Sequence, residues 1–475
     1  MPESYDLVVV GTGFASSFFL KRYLENAPSN QKVLVLERGE MLPYLDRLKA
    51  KQGTGNIDPR KAGSTYQTDS DKIWVFDPNF GGSSNCWTGC TPRFLPNDFE
   101  LRSKYGVGQD WPISYDDIGE YYEEAEQIMS IAGPGTTPFP KSNGYPLPPH
   151  ALSTVDKLLQ EKYQELYISQ PTARASQAVG SRGNCCSSSV CDLCPVNAKF
   201  TIENGLGQLY DDDRVTLKYN AQAIGLETAN DTARSITYVE NGVTQKAFGE
   251  TFVLGANGVF NSHILLNSSD TNPLTGAGIC EQIGVFARLY YKGLSNVGGG
   301  SIITANGYMM YDGEHRKDHA ACIIESFNTP FIRNEVGKWR DMSIFKFIFE
   351  DIPQNSNKVT LSGDERIPNI AYESYSDYVQ KGMDQLPSLI DQYFGFLPVE
   401  KVEIDGYAQK TEFHICSTTR MGNSSEDSVI DANLVHHQFR NVIVSGSSVY
   451  PSITPANPTL TLSALSLRAA NRYFG

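Results

Sequence analysis

Two residues late in the sequence have side chains suited to handling a proton. His414 lies in the segment 413–422, and Asn457 lies in the segment 456–462, where a helix is predicted to begin. An imidazole titrates near neutral pH and can therefore take a proton from a hydroxyl group. A side-chain amide can donate a hydrogen bond to an oxygen and hold it in place. On spacing alone, a hydrogen-bonded core histidine and a helix cap would be the simpler interpretation.

A glycine-rich turn near the start of the numbering carries a second chemical signal. Residues 5–10 form an apolar run, Gly11 and Gly13 follow, and a helix is predicted after them. Glycine at the first position permits a tight turn, and glycine at the second lets the backbone approach a pyrophosphate at the helix N-terminus. Ala15 and Ser16 stand where a third glycine is usual, and both are small enough for close packing of helix on strand.

An acidic residue completes the predicted nucleotide site. A second apolar run, 32–36, ends at Glu37, where a carboxylate can bind ribose hydroxyls. Apolar runs without alternation are typical of a parallel sheet. The loop 81–89 favours FAD over NAD, because its glycines and serines let the backbone approach a planar ring. The predicted cofactor site therefore also contains Phe14, Arg38, Gly82, Ser83, Ser84, Asn85 and Cys86.

Composition and charge limit the class of protein. The 475 residues are enough for two large cores, and 40% apolar with 20% charged residues is typical of globular proteins. The net charge of −14 argues against nucleic acid as a partner. No apolar stretch reaches the roughly 20 residues that span a bilayer. No cleavable apolar segment precedes the first strand, which predicts a cytoplasmic protein unless it is exported with a signal-bearing partner.

The nucleotide-type segments are separated along the chain, so the predicted domains are interleaved. We predict an α/β protein with a Rossmann-type FAD-binding domain and a mixed-sheet substrate domain. Asn241 and Gly242 predict a hairpin, Ser114 and Asp117 predict a helix start, and one helix is predicted near 376–394. The FAD-binding domain would comprise 1–110, 200–285 and 411–475, and the substrate domain 111–199 and 286–410, with a proline-rich loop at 133–150 as a possible lid.

Taken together, these motifs resemble the glucose–methanol–choline (GMC) oxidoreductase family of FAD enzymes. The resemblance covers most of the chain, because several segments follow in the family's order. It implies that His414 is the catalytic base, that Asn457 is its partner, and that flavin accepts a hydride from an alcohol carbon. Bacterial FAD-dependent sugar and polyol dehydrogenases look most similar, with pyranose oxidases as relatives. The matching segments are 81–84, 110–113, 255–262, 351–361, 414–422 and 446–462, and they add Ala223, Gly258, Gly446, Ser447, Pro458 and Thr459 to the predicted cofactor site.

Cys86 departs from the pattern of the pyranose oxidases, which carry at this position the histidine that links covalently to FAD. A histidyl link is therefore excluded at residue 86. A thiolate is a good nucleophile, so a cysteinyl thioether is chemically possible. The simpler interpretation is a small buried thiol that packs near the flavin ring. We therefore expect the Cys86 side chain to be buried.

Four cysteines within ten residues form a candidate metal site. Cys185, Cys186, Cys191 and Cys194 are followed by a proline, a pattern typical of iron–sulfur ligands. The sugar dehydrogenases that the chain resembles have a similar segment that holds a three-iron cluster, although here the last two cysteines are one residue closer. A 3Fe-4S cluster and a 4Fe-4S cluster therefore both stay open. A zinc-bound loop, a disulfide and free thiols are the other interpretations.

The resemblance implies FAD-dependent oxidation of an alcohol carbon of a sugar, glycoside or polyol. An iron–sulfur cluster would pass electrons to an outside partner, such as a cytochrome or a small subunit, and make the enzyme a dehydrogenase. Without a cluster, oxygen could be the acceptor and the enzyme an oxidase that makes hydrogen peroxide. A flavin-containing cyanohydrin lyase and a flavoprotein without turnover are further alternatives. Specificity is expected in 286–410 and in the loop 133–150, with Glu350, Asn355 and Tyr375 as candidates.

Overall fold

The computed structural model describes residues 4–52, 65–329 and 331–475. Its strands form three sheets, of which the largest has seven strands. In chain order the strands are β1 (Ser4–Val10), β2 (Val33–Leu36), β3 (Gln67–Thr68), β4 (Tyr167–Ser169), β5 (Val215–Lys218), β6 (Ala221–Ala229), β7 (Thr232–Glu240), β8 (Val243–Leu254), β9 (Ile283–Tyr291), β10 (Ile303–Gly307), β11 (Cys322–Phe327), β12 (Met342–Phe349), β13 (Lys358–Thr360), β14 (Asn369–Ala371), β15 (Val399–Ile404) and β16 (Val442–Val444).

The α-helices come from all parts of the chain, and two of them flank the first strand. Helices α1 and α10 pack against each other over the nucleotide sheet, and α4 packs against α10. In chain order the helices are α1 (Phe14–Asn26), α2 (Tyr44–Gln52), α3 (Leu101–Tyr105), α4 (Gly119–Met129), α5 (Thr154–Tyr163), α6 (Ile202–Gly205), α7 (Phe260–Leu266), α8 (Asp377–Asp384), α9 (Leu386–Phe394) and α10 (Thr459–Phe474).

The nucleotide sheet confirms the predicted Rossmann-type arrangement. Its strand order is β5-β2-β1-β8-β7-β6, and β16 also pairs with β8. The pairs among β5, β2, β1, β8 and β16 are parallel, whereas β6 and β7 join as antiparallel strands. The apolar run in β1 is fully buried from Leu7 to Val10, as expected for a central strand covered on both faces. Residues far apart in sequence therefore form one sheet.

The second sheet lies opposite the nucleotide sheet and has the order β15-β9-β12-β11-β10-β4. The sequence predicted mixed pairing here, but each pairing described in this sheet is antiparallel. Its side chains alternate between two buried faces, as a strand requires. On β12, Phe345 and Phe347 pack against Phe394 of α9, whereas Lys346 and Ile348 point to the other face. That other face forms one wall of the candidate site.

The local signals in the sequence predicted turns and helix starts well. Asn241 and Gly242 join β7 to β8 with φ values of +51° and +83°, which is the geometry of a tight hairpin. The Asp117 carboxylate accepts hydrogen bonds from the backbone and hydroxyl of Ser114, both at 2.8 Å, just before α4. The helix predicted near 376–394 is divided at Gln385 into α8 and α9.

The domain limits drawn from the sequence stay a prediction, but two placements bear on them. Helix α4, assigned to the substrate domain, packs with its buried side in the same core as the nucleotide sheet. The loop 133–150 contacts this region, where the Pro140 carbonyl accepts hydrogen bonds from Arg93 and Tyr115. The loop provides no wall of the cleft described below, so its position does not support a role as a lid. Within the described ranges, no helix is both long and apolar enough to cross a membrane.

Candidate active site

A cleft of about 820 Å³ separates the nucleotide sheet from the second sheet. One end is lined by the turn after β1, by the end of β2 and by the start of α10. The other end is lined by side chains of β9, β10, β11 and β12 and by the segment before His414. Concave sites between domains are the usual location of cofactors and substrates. Residues from the start, middle and end of the sequence therefore meet in this cleft.

The glycine turn after β1 has the geometry that a bound pyrophosphate needs. Gly11 has a φ of +86°, and a Cβ there would lie 2.8 Å from the carbonyl oxygen of Gly255. A Cβ at Gly13 would meet no protein atom within 4 Å, although Gly13 immediately precedes α1 and lines the cleft. The open space at Gly13 is where a phosphate can approach the helix N-terminus.

Glu37 and Arg38 mark the ribose end of the cleft. The Glu37 carboxylate is 4% exposed, and it accepts hydrogen bonds from the Thr12 hydroxyl at 2.5 Å and the Gly39 backbone at 3.0 Å. Burial raises the pKa of Glu37, and those hydrogen bonds oppose the rise. The Arg38 guanidinium lies 4.6 Å from the centre of the Phe260 ring, and its Nη1 is buried without a hydrogen-bond partner among the described residues. An acceptor on a bound nucleotide would satisfy this atom.

The structure separates the predicted cofactor residues into two groups. Three of them face away from the cleft and stabilise its turns. Ser16 donates to the Val10 carbonyl at 2.9 Å, Ser84 donates to the Gly81 carbonyl at 2.6 Å, and the Asn85 amide donates to the Phe80 carbonyl at 2.8 Å. The residues that line the cleft are Gly11, Gly13, Phe14, Ala15, Glu37, Arg38, Gly82, Ser83, Cys86, Ala223, Gly258, Gly446, Ser447, Pro458 and Thr459.

His414 and Asn457 line the same cleft. The Nδ1 atom of His414 lies 2.8 Å from Oε1 of Gln282, and the His414 backbone N–H donates to Glu281 at 3.2 Å. Asn457 is 6% exposed, and its Oδ1 has no hydrogen-bond partner in the described part of the chain. Phe413 has a φ of +66°, which is rare for an aromatic residue and fixes the entry of the backbone to His414.

The wall opposite the nucleotide turn contains charged residues that sequence reasoning missed. Glu325 of β11 and Lys346 of β12 are cross-strand neighbours, and Lys346 forms an ion pair with Glu412. Burial raises the pKa of Glu325 to about 7, with Lys346 acting in the opposite direction. Burial also lowers the pKa of His414 to about 3, and the Lys346 cation adds to this effect. A charged residue inside an otherwise apolar strand was the signal available in the sequence.

The three specificity candidates named from the sequence lie elsewhere. Glu350 is ion paired with the buried Arg316, at 2.5 Å. Asn355 accepts a hydrogen bond from Arg420 at 2.7 Å, and the Tyr375 hydroxyl donates to Gln380 at 3.0 Å. These contacts are structural, and the cleft is lined by other residues of the same region, including Phe286 and Phe327.

Cys86 differs from the expectation of a buried thiol, because it is half-exposed and lines the cleft. Within the predicted cysteine cluster, Cys191 and Cys194 are buried, whereas Cys186 is exposed. The pKa of Cys185 is raised by burial and, to a smaller extent, by the neighbouring thiols of Cys191 and Cys194. Across the described ranges, no group of three or more His, Cys, Asp or Glu side chains could hold a metal ion. The iron–sulfur site is therefore not shown.

Residues 353–466 match the family model described as GMC oxidoreductase. The fructose dehydrogenase large subunit of Gluconobacter japonicus is 26% identical, over 98% of this chain and 97% of that protein. The chain is similar to GMC oxidoreductases, with the family model matching residues 353–466. Another relative is the paromamine 6'-oxidase of Streptomyces fradiae, 25% identical over 99% of this chain and 91% of that protein. The crystal structure of pyridoxine 4-oxidase from Mesorbium loti has the same fold, with a TM-score of 0.69, 17% identity and 99% of each chain covered.

These similarities confirm the family resemblance and the prediction of an oxidoreductase. They also support FAD as the cofactor of the cleft. The residues present fit FAD, because the open space at Gly13, the buried Glu37 and the unpartnered Nη1 of Arg38 are what a dinucleotide would use.

Proposed function

We propose that this protein oxidises an alcohol carbon of a sugar, glycoside or polyol, with His414 as base and Asn457 as the positioning group. The observation that carries the proposal is their position. These two residues come from separate segments, yet both line the cleft that contains the nucleotide turn. FAD, when bound, supplies the two-electron acceptor for a hydride.

The protein's own residues would handle the hydroxyl group of the substrate. Burial and the Lys346 cation lower the pKa of His414, so the ring is neutral at physiological pH. A neutral imidazole has a nitrogen lone pair, which would accept the hydroxyl proton as the hydride leaves the carbon. The Oδ1 atom of the buried Asn457 amide has no hydrogen-bond partner among the described residues, so it can accept a hydrogen bond from a hydroxyl group of the substrate and hold the substrate beside the imidazole. The apolar rings of Phe286 and Phe327 line the same cleft and help to exclude water.

The substrate class is supported by the names of relatives and by the wall of the cleft. Besides the fructose dehydrogenase subunit and the paromamine oxidase, one relative is named 2-methyl-1,2-propanediol dehydrogenase. On this wall, Glu325 can accept a hydrogen bond from a second polar group of a substrate, and Lys346 can donate one to it. A compound with several hydroxyl groups therefore suits this cleft better than a purely apolar alcohol.

The test is reduction of the bound flavin under anaerobic conditions. The purified holoenzyme is mixed with D-glucose, D-fructose, D-sorbitol and 1,2-propanediol, and the flavin absorbance is followed. We expect at least one compound to bleach the flavin, and His414→Gln to slow this step by about 10²–10⁴-fold with flavin content unchanged. His437→Gln, which changes a histidine outside the cleft, is the matched control. Full bleaching rates in His414→Gln would contradict the proposed base, and a lyase or a scaffold protein would show no bleaching.

We also propose that an iron–sulfur cluster relays electrons from this site to an outside acceptor such as a cytochrome or a small subunit. Cys191 lines the cleft, and its thiol interacts electrostatically with Cys194, whereas Cys186 is exposed. Thiolates of a cluster bind different iron atoms and so lie farther apart than the ligands of one ion. We therefore favour three cluster ligands, Cys185, Cys191 and Cys194, over a set of four that also includes the exposed Cys186.

Iron and sulfide analysis of protein purified without oxygen decides between relay and oxidase. Stoichiometric iron that is lost in Cys191→Ser and kept in Cys322→Ser, a buried thiol of β11, would support the relay. Absence of iron under these conditions would contradict it. Oxygen would then be the proposed acceptor, as in the relatives that are named oxidases.

A further inference from the structure

We infer that Gln282 is a positioning residue that fixes the tautomer of His414, with a proton on Nδ1 and a lone pair on Nε2. The inference rests on the proposed role of His414 as base and adds the residue that orients it. Gln282 immediately precedes β9 and is 2% exposed. Its Oε1 lies 2.8 Å from Nδ1 of His414.

The orientation of the Gln282 amide follows from its other contacts. Its Nε2 donates to two backbone carbonyls, those of Thr454 and Ala456, each at 2.9 Å. Carbonyl oxygens only accept hydrogen bonds, so the NH₂ group must face them and the amide oxygen must face the imidazole. These contacts therefore determine which end of the Gln282 amide is the oxygen and which is the nitrogen, although the two ends have nearly the same shape. Burial keeps water from replacing either contact.

The amide oxygen in turn determines where the imidazole carries its proton. Oε1 of Gln282 can only accept, so Nδ1 of His414 must be the donor. A neutral imidazole has one N–H, and Nε2 is then left with the lone pair that a base needs. In the alternative tautomer, two acceptors would face each other at 2.8 Å, which a buried site does not tolerate.

The charged groups around the His414 imidazole favour its neutral form, and a neutral imidazole exists as one of two tautomers. Glu281 accepts from the His414 backbone and is ion paired with Lys72. Lys346 is ion paired with Glu412, and Glu325 lies on the same wall of the cleft. Glu281 and Glu412 are thus matched by cations, and burial raises the pKa of Glu325, which favours its neutral form. Burial together with Lys346 lowers the pKa of the imidazole.

Gln282 also connects the two members of the proposed catalytic pair. The carbonyls that it binds belong to residues 454 and 456, directly before Asn457. One side chain therefore holds the imidazole on one side and the backbone that carries the amide on the other. A displacement of Gln282 would change the distance between base and amide as well as the tautomer.

The direct test needs no substrate, and a variant serves only to assign the signals. The holoenzyme is labelled with ¹⁵N-histidine, and the ring nitrogens of His414 are identified among the 7 histidines by their loss in His414→Gln. We expect one neutral tautomer protonated on Nδ1 from about pH 6 to about pH 8. A ring protonated on Nε2, an equal mixture of tautomers or a charged ring at neutral pH would overturn the inference.

Variants then show whether Gln282 is the cause. Gln282→Met keeps the volume and removes the acceptor, and Gln282→Asn keeps an amide that is too short to reach the ring. We expect both to show mixed tautomers and a kcat lower by about 10-fold or more, with KM changed less. Gln354→Met, which alters a glutamine bonded to the Ser374 carbonyl outside the cleft, is the matched control.

The outcomes distinguish this inference from the proposed function. A wild-type tautomer in both Gln282 variants would overturn the inference even if kcat fell, because the loss would then be structural. If neither variant folds, the ¹⁵N spectrum of the wild-type protein decides alone. A fixed Nδ1–H tautomer in a protein that oxidises no alcohol would leave Gln282 as the positioning residue and reject the function.

Discussion

Glu325 differs from the other carboxyl groups near His414. Glu412 is ion paired with Lys346 and Glu281 is ion paired with Lys72, whereas Glu325 receives hydrogen bonds from the neutral side chains of Gln170, at 3.4 Å, and Asn457. Glu325 is 3% exposed, so water does little to stabilise its charge. The protein thus keeps, beside the proposed catalytic pair, a carboxyl group whose charge is costly to maintain.

The pH dependence of stability should reveal this group. Burial raises the pKa of Glu325 from 4.5 to about 7, so the folded protein retains a proton that the unfolded chain releases. The contribution of Glu325 to the free energy of unfolding is therefore fully present at a pH below 4.5, the pKa of the group in the unfolded chain. This contribution is lost as the pH rises through about 7. We expect Glu325→Gln to raise the unfolding midpoint by about 2 °C near pH 8 and to leave it unchanged near pH 4.

Thermal unfolding at the two pH values measures this effect. Glu165→Gln, a change at an exposed carboxyl group, should shift the midpoint at neither pH. If Glu325→Gln and the wild-type protein unfold at the same temperature near pH 8, the folded protein does not pay for a buried charge at Glu325.

At the scale of elements, the turn between β1 and α1 uses its two glycines for different purposes. Gly11 needs glycine for the fold, because its φ is +86° and the Gly255 carbonyl lies against it. Gly13 has a φ of −74°, which any residue adopts, and no protein atom crowds its Cβ position. The protein itself therefore places no requirement for glycine at residue 13, and a bound cofactor is the group that an added methyl would meet.

Gly13→Ala should separate cofactor binding from folding. We expect the FAD-free variant to fold like the wild-type protein and to bind FAD about 10- to 100-fold more weakly, because a methyl group would occupy the approach of the pyrophosphate. Flavin fluorescence titration measures the affinity, and circular dichroism checks the fold. Gly119→Ala, at the first residue of α4 with open space around it, is the matched control. Wild-type affinity in Gly13→Ala would place the phosphate elsewhere.

The same elements show what the sequence could predict. The turn at Gly11 and the acid at Glu37 were predictable, because a strand, a turn and a helix that are adjacent in sequence define them. His414 and Asn457 were assigned through the family resemblance, since no local rule brings 414 and 457 together. Gln282 was missed, because its function comes from three contacts with residues more than 130 positions away.

The charged wall of the cleft was missed for a related reason. Glu325 and Lys346 are neighbours only because β11 and β12 pair in antiparallel register, and that register is set by the sheet as a whole. Cys86 was expected to be buried, but its loop leaves the thiol at the edge of the cleft. Exposure in a loop depends on packing partners that the sequence does not identify.

At the scale of the whole molecule, a buried ion cluster joins the two halves of the protein. Arg316, with 0% exposure, contacts Asp98 at 2.9 Å and Glu350 at 2.5 Å. Asp98 lies beside Phe99 of the nucleotide core, and Glu350 accepts a hydrogen bond from Tyr378 of the second core at 2.9 Å. This contact therefore connects the core of the nucleotide sheet to the core of the second sheet.

We expect Arg316→Met to destabilise the protein by about 3–5 kcal/mol, because two buried carboxylates lose their cation. Adding Asp98→Asn and Glu350→Gln to the same chain should restore most of the loss, since the uncompensated charges are then gone. Thermal unfolding followed by circular dichroism and by flavin release measures both. Arg366→Met breaks an exposed ion pair and should leave the midpoint unchanged. No recovery in the triple variant would mean that Arg316 acts through packing instead of charge.

The order of strands in the nucleotide sheet has a consequence for how the protein is made in the cell. Strands β1 and β2 leave the ribosome early, but their sheet is extended by β8 and β16, which are synthesised much later. Until then, β1 has an unpaired edge that must be kept from other chains. The cleft also lacks His414, Asn457 and the first turn of α10 until that late stage. FAD can therefore bind in the complete cleft only after residues 414–459 have been synthesised, and the supply of cofactor cannot guide the folding of β1 and β2.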